Sequence, residues 1–163
     1  MTVTIRAEES ADIPAIRDVV AAAFGRDMEA ELVDRLRGDG DGVISLVAVE
    51  GGRIVGHVLF SRMSAPFRAL GLAPVSVAPD RQRSGIGSGL IRAGLARSAR
   101  DGWQAVFVLG EPAFYRRFGF DPDLAKGFSS PYAGPYLMAL ALDGRLPVTK
   151  GEIEYAAAFA GLT

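Results

Sequence analysis

The sequence predicts an α/β fold with a mixed, α+β-type sheet: helices cover one sheet that contains both parallel and antiparallel strands. Three observations support this class. Short apolar runs with strand character alternate with stretches in which apolar residues recur three and four apart. A Glu-Gly-Gly turn at 50–52 joins two of the runs as an antiparallel hairpin. A helical stretch at 88–100 joins two others, and this connection predicts parallel strands with a right-handed crossover.

The first part of the chain predicts a strand followed by two helices. Residues 2–7 alternate between two faces, as a half-buried strand does. In the first helix Pro14 occupies the first turn, where its missing N–H costs nothing, and Gly25 ends the helix. The second helix, at 28–36, carries acidic residues before basic ones, an order that the helix dipole favours.

Three strands are predicted next, at 43–49, 53–63 and 70–78. The third contains Pro74. Because proline cannot donate a hydrogen bond to a strand ladder, one edge of this strand is expected to be unpaired or bulged.

The crossover helix leads to a buried strand at 105–109 and to a short helix at 111–118, which begins with a proline and ends at a Gly-Phe pair. A loop rich in glycine, proline and serine covers 121–135. Two closing strands are predicted, near 136–142 and 152–159.

Length and composition predict one cytoplasmic domain that covers residues 1–163. A chain of 163 residues buries about 70% of its unfolded surface, and 49% apolar with 23% charged residues is a globular composition. The net charge of −1 gives no attraction to nucleic acid or to an anionic membrane, so neither partner is expected. No apolar run approaches the ~18 residues of a membrane span, and the N-terminus lacks a signal-peptide pattern. The absence of cysteine and the single histidine, His57, exclude thiol nucleophiles and multi-histidine metal sites, so no metal is expected.

The stretch 72–92 predicts an anion-binding site. An apolar strand that reaches Val77 is followed by Gln82, and a glycine-rich turn with Gly85 and Gly87 then opens a helix. Glycines let the backbone approach a ligand closely, while free N–H groups and the positive end of the helix dipole point at one place. An ordinary strand-to-helix turn with a solvated basic rim is the alternative interpretation.

Two families of phosphate-binding loops fit this stretch poorly. The loop of nucleotide hydrolases needs a lysine after its glycines, and none follows here. The dinucleotide fingerprint needs a third glycine where this chain has Leu90. What remains is Gln-x-x-Gly-x-Gly at 82–87, preceded by Val-x-Pro at 77–79.

This remaining pattern resembles the pyrophosphate-binding motif of the GNAT superfamily of acetyl-CoA-dependent N-acetyltransferases. Residues 115–120, Tyr-x-x-x-Gly-Phe, resemble the second signature of that family, at a matching distance and within a matching order of elements along nearly the whole chain. The chain is similar in particular to a bacterial branch of small predicted acetyltransferases. The features shared with that branch are Gly56-His57, the Leu-Gly-Glu-Pro run at 109–112, and Gly151, Tyr155 and Phe159.

The resemblance implies a GNAT-like fold in which the parallel strands on either side of helix 88–100 splay apart, with coenzyme A between them. Acetyl-CoA would be the cosubstrate, with its pantetheine arm along 75–77 and its pyrophosphate on the N–H groups of 83–88. Arginines such as Arg81 and Arg117 would contact the outer phosphates, or else be solvated surface charges. The implied cofactor-binding residues are Val75, Val77, Gln82, Arg83, Ser84, Gly85, Ile86, Gly87, Ser88, Phe114 and Tyr115.

Tyr115 is the residue that the resemblance implies as the acid for the departing thiolate. A phenol of pKa ~10 that protonates a thiolate of pKa ~8.5 does so uphill by roughly 2 kcal/mol, so Tyr115 either acts as the acid or only donates a hydrogen bond. Many relatives place the base on the strand before the loop, but this strand has no carboxylate. The candidate bases are therefore Glu111, His57 and Glu50, acting directly or through water.

The predicted function is transfer of an acetyl group to a primary amine by direct attack in a ternary complex, with the carbonyl polarised by a backbone N–H near Ser76 or Val77. The alternatives are a non-catalytic sensor module that binds coenzyme A or acyl-CoA, and an enzyme that uses another phosphate cofactor.

A small-molecule or peptide amine is the expected partner, in a pocket formed by 11–37, 50–63 and 121–136, and the missing carboxylate favours an acceptor of low pKa. A homodimer through the closing strands is left open.

Overall fold

The computed structural model describes residues 2–161, and its main feature is a six-stranded mixed sheet with helices on both faces. The elements are β1 (Val3–Ala7), α1 (Ile13–Phe24), α2 (Met28–Gly38), β2 (Gly42–Glu50), β3 (Arg53–Arg62), β4 (Ala69–Val77), α3 (Ile86–Arg100), β5 (Ala105–Leu109), α4 (Pro112–Tyr115), α5 (Pro122–Ala125), β6 (Phe128–Ser129), β7 (Leu137–Ala141) and β8 (Gly151–Glu152). The order across the sheet is β1-β2-β3-β4-β5-β7, with β4 and β5 parallel and the other neighbours antiparallel. The predicted fold class is confirmed. The single domain of 1–163 stays a prediction, since Met1, Leu162 and Thr163 lie outside the described residues.

β4 and β5 separate soon after they meet. Their parallel pairing runs only from Ala69, opposite Ala105, to Gly71, opposite Phe107. β4 then continues to Val77 without a paired strand on that edge. The sheet therefore contains the V-shaped gap that the sequence predicted, and we call its narrow end, just beyond Gly71, the apex.

Pro74 lies in a β-bulge on the other edge of β4. Leu72 pairs with Phe60 and Val75 pairs with Val58, so that Ala73 and Pro74 together oppose a single residue of β3. The bulge absorbs the residue that cannot donate to the ladder, which confirms the expectation drawn from proline in this strand.

α3 packs closely on β3 because glycines remove side chains from the interface. A Cβ at Gly94 would lie 2.1 Å from a ring atom of Phe60, and a Cβ at Gly56 would lie 3.0 Å from both Ile86 and Leu90. The helix therefore lies directly on the sheet, and its first turn is held beside the end of β4.

α1 and α2 cover the opposite face of the sheet, where α1 packs on β3 and β4 and α2 packs on α1 and β2. The C-terminal segment lies on this same face, and its 3₁₀ turn Ala157–Gly161 packs against α2.

The predicted closing strand at 152–159 is wrong. Only Gly151–Glu152 is a strand, and it pairs in parallel with β6 outside the main sheet. The segment instead crosses a face of the sheet, where Phe159 is buried against the core, and it is this packing that its apolar residues serve. The predicted loop at 121–135 also contains structure, because Asp121 accepts a hydrogen bond from the Asp123 N–H and begins α5.

Between residues 2 and 161 no helix combines the length and the apolar character that crossing a bilayer requires.

Candidate active site

The turn between β4 and α3 presents free backbone donors. Gly85, at φ +87°, precedes the helix in the left-handed region that glycine tolerates, and α3 begins at Ile86. The N–H groups of 86–88 have no partner within the helix, and no side chain in the described structure caps them. The positive end of the helix dipole adds to these donors, so the first turn of α3 is suited to an anion.

A cavity of about 450 Å³ lies in front of this turn. It contains nine of the eleven predicted cofactor-binding residues; Ser84 and Tyr115 are the two that do not line it. Ser84 instead donates its hydroxyl to the carbonyl of Arg81 within the turn. The full lining is Ala23, Phe24, Val75, Val77, Arg81, Gln82, Arg83, Gly85, Ile86, Gly87, Ser88, Phe114 and Arg117.

Sequence reasoning missed Ala23 and Phe24, which bring the end of α1 to the mouth of this cavity. Phe24 stays 41% exposed, but in the sequence it continues the apolar stripe of α1, and no pattern distinguishes it from the buried residues of that helix.

The arginines around the cavity differ in their partners. Arg81 donates from Nε to the carboxylate of Glu50 at 2.6 Å, so this pair is already neutralised. Arg117 donates to the carbonyl of Phe114 at 3.0 Å and lies 4.7 Å above the Phe114 ring, which leaves its charge at the cavity without a carboxylate among residues 2–161. Glu50 is held by its arginine, which argues against it as a base.

On the edge of β4 that has no paired strand, backbone N–H groups point into the gap. The Ala78 N–H donates to the carbonyl of Val55 at 2.8 Å, so Ser76, two residues earlier, also directs its N–H toward β3. Val75 and Val77 therefore direct theirs toward the gap. Of the two residues predicted to polarise a carbonyl, Val77 has the suitable orientation and Ser76 does not. The Gln82 side chain donates to the Val77 carbonyl at 3.1 Å and thereby closes the turn.

Tyr115 lies half-buried on α4, packed against Gly110, where a Cβ would approach its ring to 2.5 Å. Phe114 and Phe120 contact the ring edge-on, with centroid distances of 4.9 and 5.9 Å. Burial raises the pKa of the Tyr115 phenol above its usual value of 10.0. The hydroxyl is therefore neutral at physiological pH and available as a hydrogen-bond donor.

His57 lies in the core, with none of its surface exposed. Its Nε2 is 2.8 Å from the hydroxyl of Ser45, which in turn donates to Glu8 at 2.7 Å. Burial lowers the pKa of His57 to about 4, against the opposing effect of Glu8. His57 also lies outside the cavity at the turn between β4 and α3. A buried imidazole with this low pKa is therefore poorly suited to act as the base.

Glu111 is the candidate base that remains at the surface. It precedes α4, and its carbonyl accepts the N–H groups of Phe114 and Tyr115 at 3.0 and 3.1 Å, which fixes its backbone two residues beyond Leu109. Its carboxylate makes no hydrogen bond or ion pair within the described part of the chain.

A second cavity, of about 200 Å³, lies at the apex of the gap. Leu72, Ala73 and Leu109 are the residues just beyond the last β4–β5 pair, and they form one wall. The other wall comes from the C-terminal part of the chain, with Tyr132, Tyr155 and Phe159. Of the three segments predicted to line an acceptor pocket, only 121–136 contributes here, through Tyr132.

Residues 2–161 contain no group of three histidine, cysteine, aspartate or glutamate side chains placed to hold a metal ion.

Comparison with known proteins supports the interpretation of both motifs. The family model of the acetyltransferase (GNAT) domain matches residues 4–122. The uncharacterized N-acetyltransferase YjhQ of Escherichia coli K12 is 39% identical over 141 residues, which cover 81% of this chain and 77% of YjhQ. The uncharacterized N-acetyltransferase YhbS of the same strain is 37% identical over 121 residues, or 72% of each chain.

Two solved structures share the whole architecture. Escherichia coli YhbS in complex with CoA matches with a TM-score of 0.91 at 31% identity, covering 99% of this chain and 93% of that one. A GNAT family acetyltransferase from Brucella melitensis in complex with acetyl-CoA matches with a TM-score of 0.82 at 37% identity, covering 97% and 98%. By sequence and by fold, this chain belongs to the GNAT family of acetyltransferases.

Proposed function

We propose that this protein transfers the acetyl group of acetyl-CoA to a primary amine, which attacks the thioester directly in a ternary complex. One observation carries the proposal: nine of the eleven residues that the GNAT motifs imply for the cofactor line a single cavity at the N-terminus of α3. Two relatives of the same fold hold CoA and acetyl-CoA.

Cofactor binding follows from the charges and donors of this cavity. The pyrophosphate accepts hydrogen bonds from the N–H groups of 83–88, and the free charges of Arg83 and Arg117 face the outer phosphates. Charge-assisted bonds contribute about 1.5–3 kcal/mol each, so a handful suffices for micromolar affinity, which corresponds to about 8 kcal/mol. The amides of the pantetheine arm bond to the open edge of β4 at Val75 and Val77.

The acetyl group is thereby brought to the gap between β4 and β5. The amine nitrogen attacks the carbonyl carbon, and the carbonyl oxygen takes up the negative charge beside a backbone N–H on the open edge of β4, where Val75 and Val77 direct theirs toward the gap. The C–S bond then breaks, and the electron pair leaves with sulfur as a thiolate. Tyr115 donates a hydrogen bond to this thiolate. Full proton transfer from Tyr115 is disfavoured, because burial raises a phenol pKa that already exceeds that of a thiol.

The proton lost by the attacking nitrogen passes to Glu111 through water in this scheme. Glu111 is preferred because Glu50 is paired with Arg81 and His57 is buried and weakly basic. An amine of pKa near 8 needs little help, since its deprotonation at pH 7 costs only ~1.4 kcal/mol.

The test combines binding with turnover. Calorimetry should give micromolar affinity for acetyl-CoA, and a panel of amines should release free thiol from it. Tyr115→Phe should keep the affinity within about threefold while kcat falls roughly 10- to 100-fold, because only the hydrogen bond to the leaving thiolate is removed. Tyr136→Phe is the matched control, since Tyr136 is 51% exposed and lines neither cavity.

The alternatives give different results in the same experiment. Micromolar binding of acetyl-CoA without amine-dependent thiol release would indicate the sensor module. The absence of binding below millimolar concentration would contradict both the enzyme and the sensor and would indicate another phosphate cofactor.

A further inference from the structure

The cavity at the apex adjoins the gap that would hold the acetyl group, if the proposed function holds. Leu72 and Ala73 continue β4 directly from Gly71, the last residue that pairs with β5, and Leu109 ends β5. The first cavity contains Val75 and Val77, further along the same strand. The two cavities therefore meet the gap at successive positions along β4, one beside the phosphate-binding turn and one at the narrow end.

Aromatic and aliphatic side chains line the apex cavity. Its lining contains no charged side chain within the described residues. Tyr155 contacts Tyr132 and Phe159 edge-on, with centroid distances of 5.6 and 5.4 Å, so the three rings form one continuous wall. Such a surface stabilises an apolar body and provides no oppositely charged partner for a second ammonium or carboxylate group, whose desolvation would be largely uncompensated.

The wall contains one polar group. The hydroxyl of Tyr155 is buried and has no hydrogen-bond partner in residues 2–161. Burial, with smaller effects of Tyr132 and Tyr115, raises the pKa of Tyr155, so this hydroxyl stays neutral. Tyr115 packs against Gly110, the residue after Leu109, so the cavity lies near the residue proposed to contact the thiolate. A buried hydroxyl without a partner carries a desolvation cost that a polar atom of a ligand can relieve.

The volume limits the size of the acceptor. At about 200 Å³ the cavity is smaller than the 300–1,000 Å³ typical of sites for drug-sized ligands. A long polyamine or the side of an aminoglycoside would extend beyond it, whereas a single aliphatic or aromatic ring system fits.

We infer that the acceptor is a small primary amine carried on an apolar or aromatic body without a second charge, and that the apex cavity binds this body. The inference rests on the proposed function and specifies its substrate class. The same surroundings select the neutral form of the amine, since an ammonium group is costly to desolvate there, and this explains how the site works without a carboxylate on β4.

Leu109 provides the sharpest test, because it lines the cavity and yet is 47% exposed, so that a charged residue there does not enter the core. Leu109→Glu places a carboxylate at the cavity. Leu124→Glu is the matched control: the same substitution at another exposed leucine, 37% exposed and outside the cavity.

Leucinamide and lysinamide are suitable probes, since both offer an α-amine of pKa near 8 and only lysinamide carries a second ammonium. The ratio of kcat/KM for leucinamide to that for lysinamide should be at least about tenfold in the wild type. Leu109→Glu should lower this ratio at least about tenfold, while Leu124→Glu leaves it unchanged. A wild type that prefers lysinamide, or a ratio within twofold of wild type in Leu109→Glu, would overturn the inference.

A binding measurement separates this inference from the proposed function. Ligand-observed NMR titration of the two amines, with coenzyme A present, reports occupancy without turnover. Preferential binding of leucinamide without any thiol release would refute the acetyltransferase and support the apolar site. Turnover with a preference for the doubly charged amine would refute the apolar site and leave the acetyltransferase intact.

Discussion

Gly87→Val is expected to abolish tight binding of coenzyme A and leave the fold intact. Gly87 lies in the first turn of α3 and lines the cavity in front of this turn. A Cβ at this position would lie 3.6 Å from the Val77 side chain, which is an ordinary van der Waals contact, and its φ is not in the left-handed region. The two methyl groups of valine would then occupy the space in front of the N–H groups that are proposed to bind the pyrophosphate.

The size of the effect follows from the donors that are blocked. The first turn offers the N–H groups of 86–88, and each bond to a phosphate oxygen contributes about 1.5–3 kcal/mol. Loss of two such bonds weakens binding by at least about 3 kcal/mol, or more than about a hundredfold in Kd. The free energy of unfolding should change by less than about 1 kcal/mol, since valine is a slightly better helix residue than glycine.

The assay is calorimetric titration with coenzyme A, accompanied by urea unfolding of the same preparations. Gly38→Val serves as the control, because Gly38 is also a helical glycine, with no atom within 4 Å of its added Cβ, and it lies at the end of α2 away from the cavity. A folded Gly87→Val protein with an affinity within about threefold of wild type would refute the placement of the pyrophosphate.

Two further predictions concern the acid–base groups. His57 has a pKa of about 4 when folded and 6.5 when unfolded, so the unfolded chain binds the extra proton and stability falls as pH drops through this window. Between pH 7 and 5 the loss should be about 2 kcal/mol in urea unfolding, and His57→Gln should remove it; an unchanged slope would contradict the buried neutral imidazole. Glu111→Gln should lower kcat more for an amine of pKa near 10 than for one near 8, because the former depends on a base. Equal losses with both amines would exclude Glu111 as the base.

The order of elements and the glycine turn into α3 were predictable because they are encoded locally. Pro74 marked the bulged strand, and Gly85 marked the turn into α3, each through a backbone restriction of the residue itself. The hairpin turn and the crossover helix likewise determine which neighbouring strands pair in which direction.

The features that could not be predicted depend on contacts between distant residues. Glu50 is paired with Arg81, 31 positions away, and His57 is enclosed by Ser45 and Glu8, so neither candidate base could be assessed from sequence spacing. The segment 152–159 has the apolar content of a strand, but it crosses the face of the sheet and supplies the aromatic wall of the apex cavity. Periodicity alone does not distinguish these two uses of apolar residues.

The glycine contacts between α3 and β3 have a consequence for the choice of acyl donor. Because Gly94 rests against Phe60 and Gly56 against Ile86, the first turn of the helix cannot slide along the sheet without a clash. This packing places that turn at a defined distance from the apex of the gap, and in the proposed site this distance sets the length of cofactor arm that fits. We therefore expect acetyl-CoA to be a better donor than a truncated thioester that lacks the nucleotide end, because the truncated donor has no anchor at the turn to position its thioester.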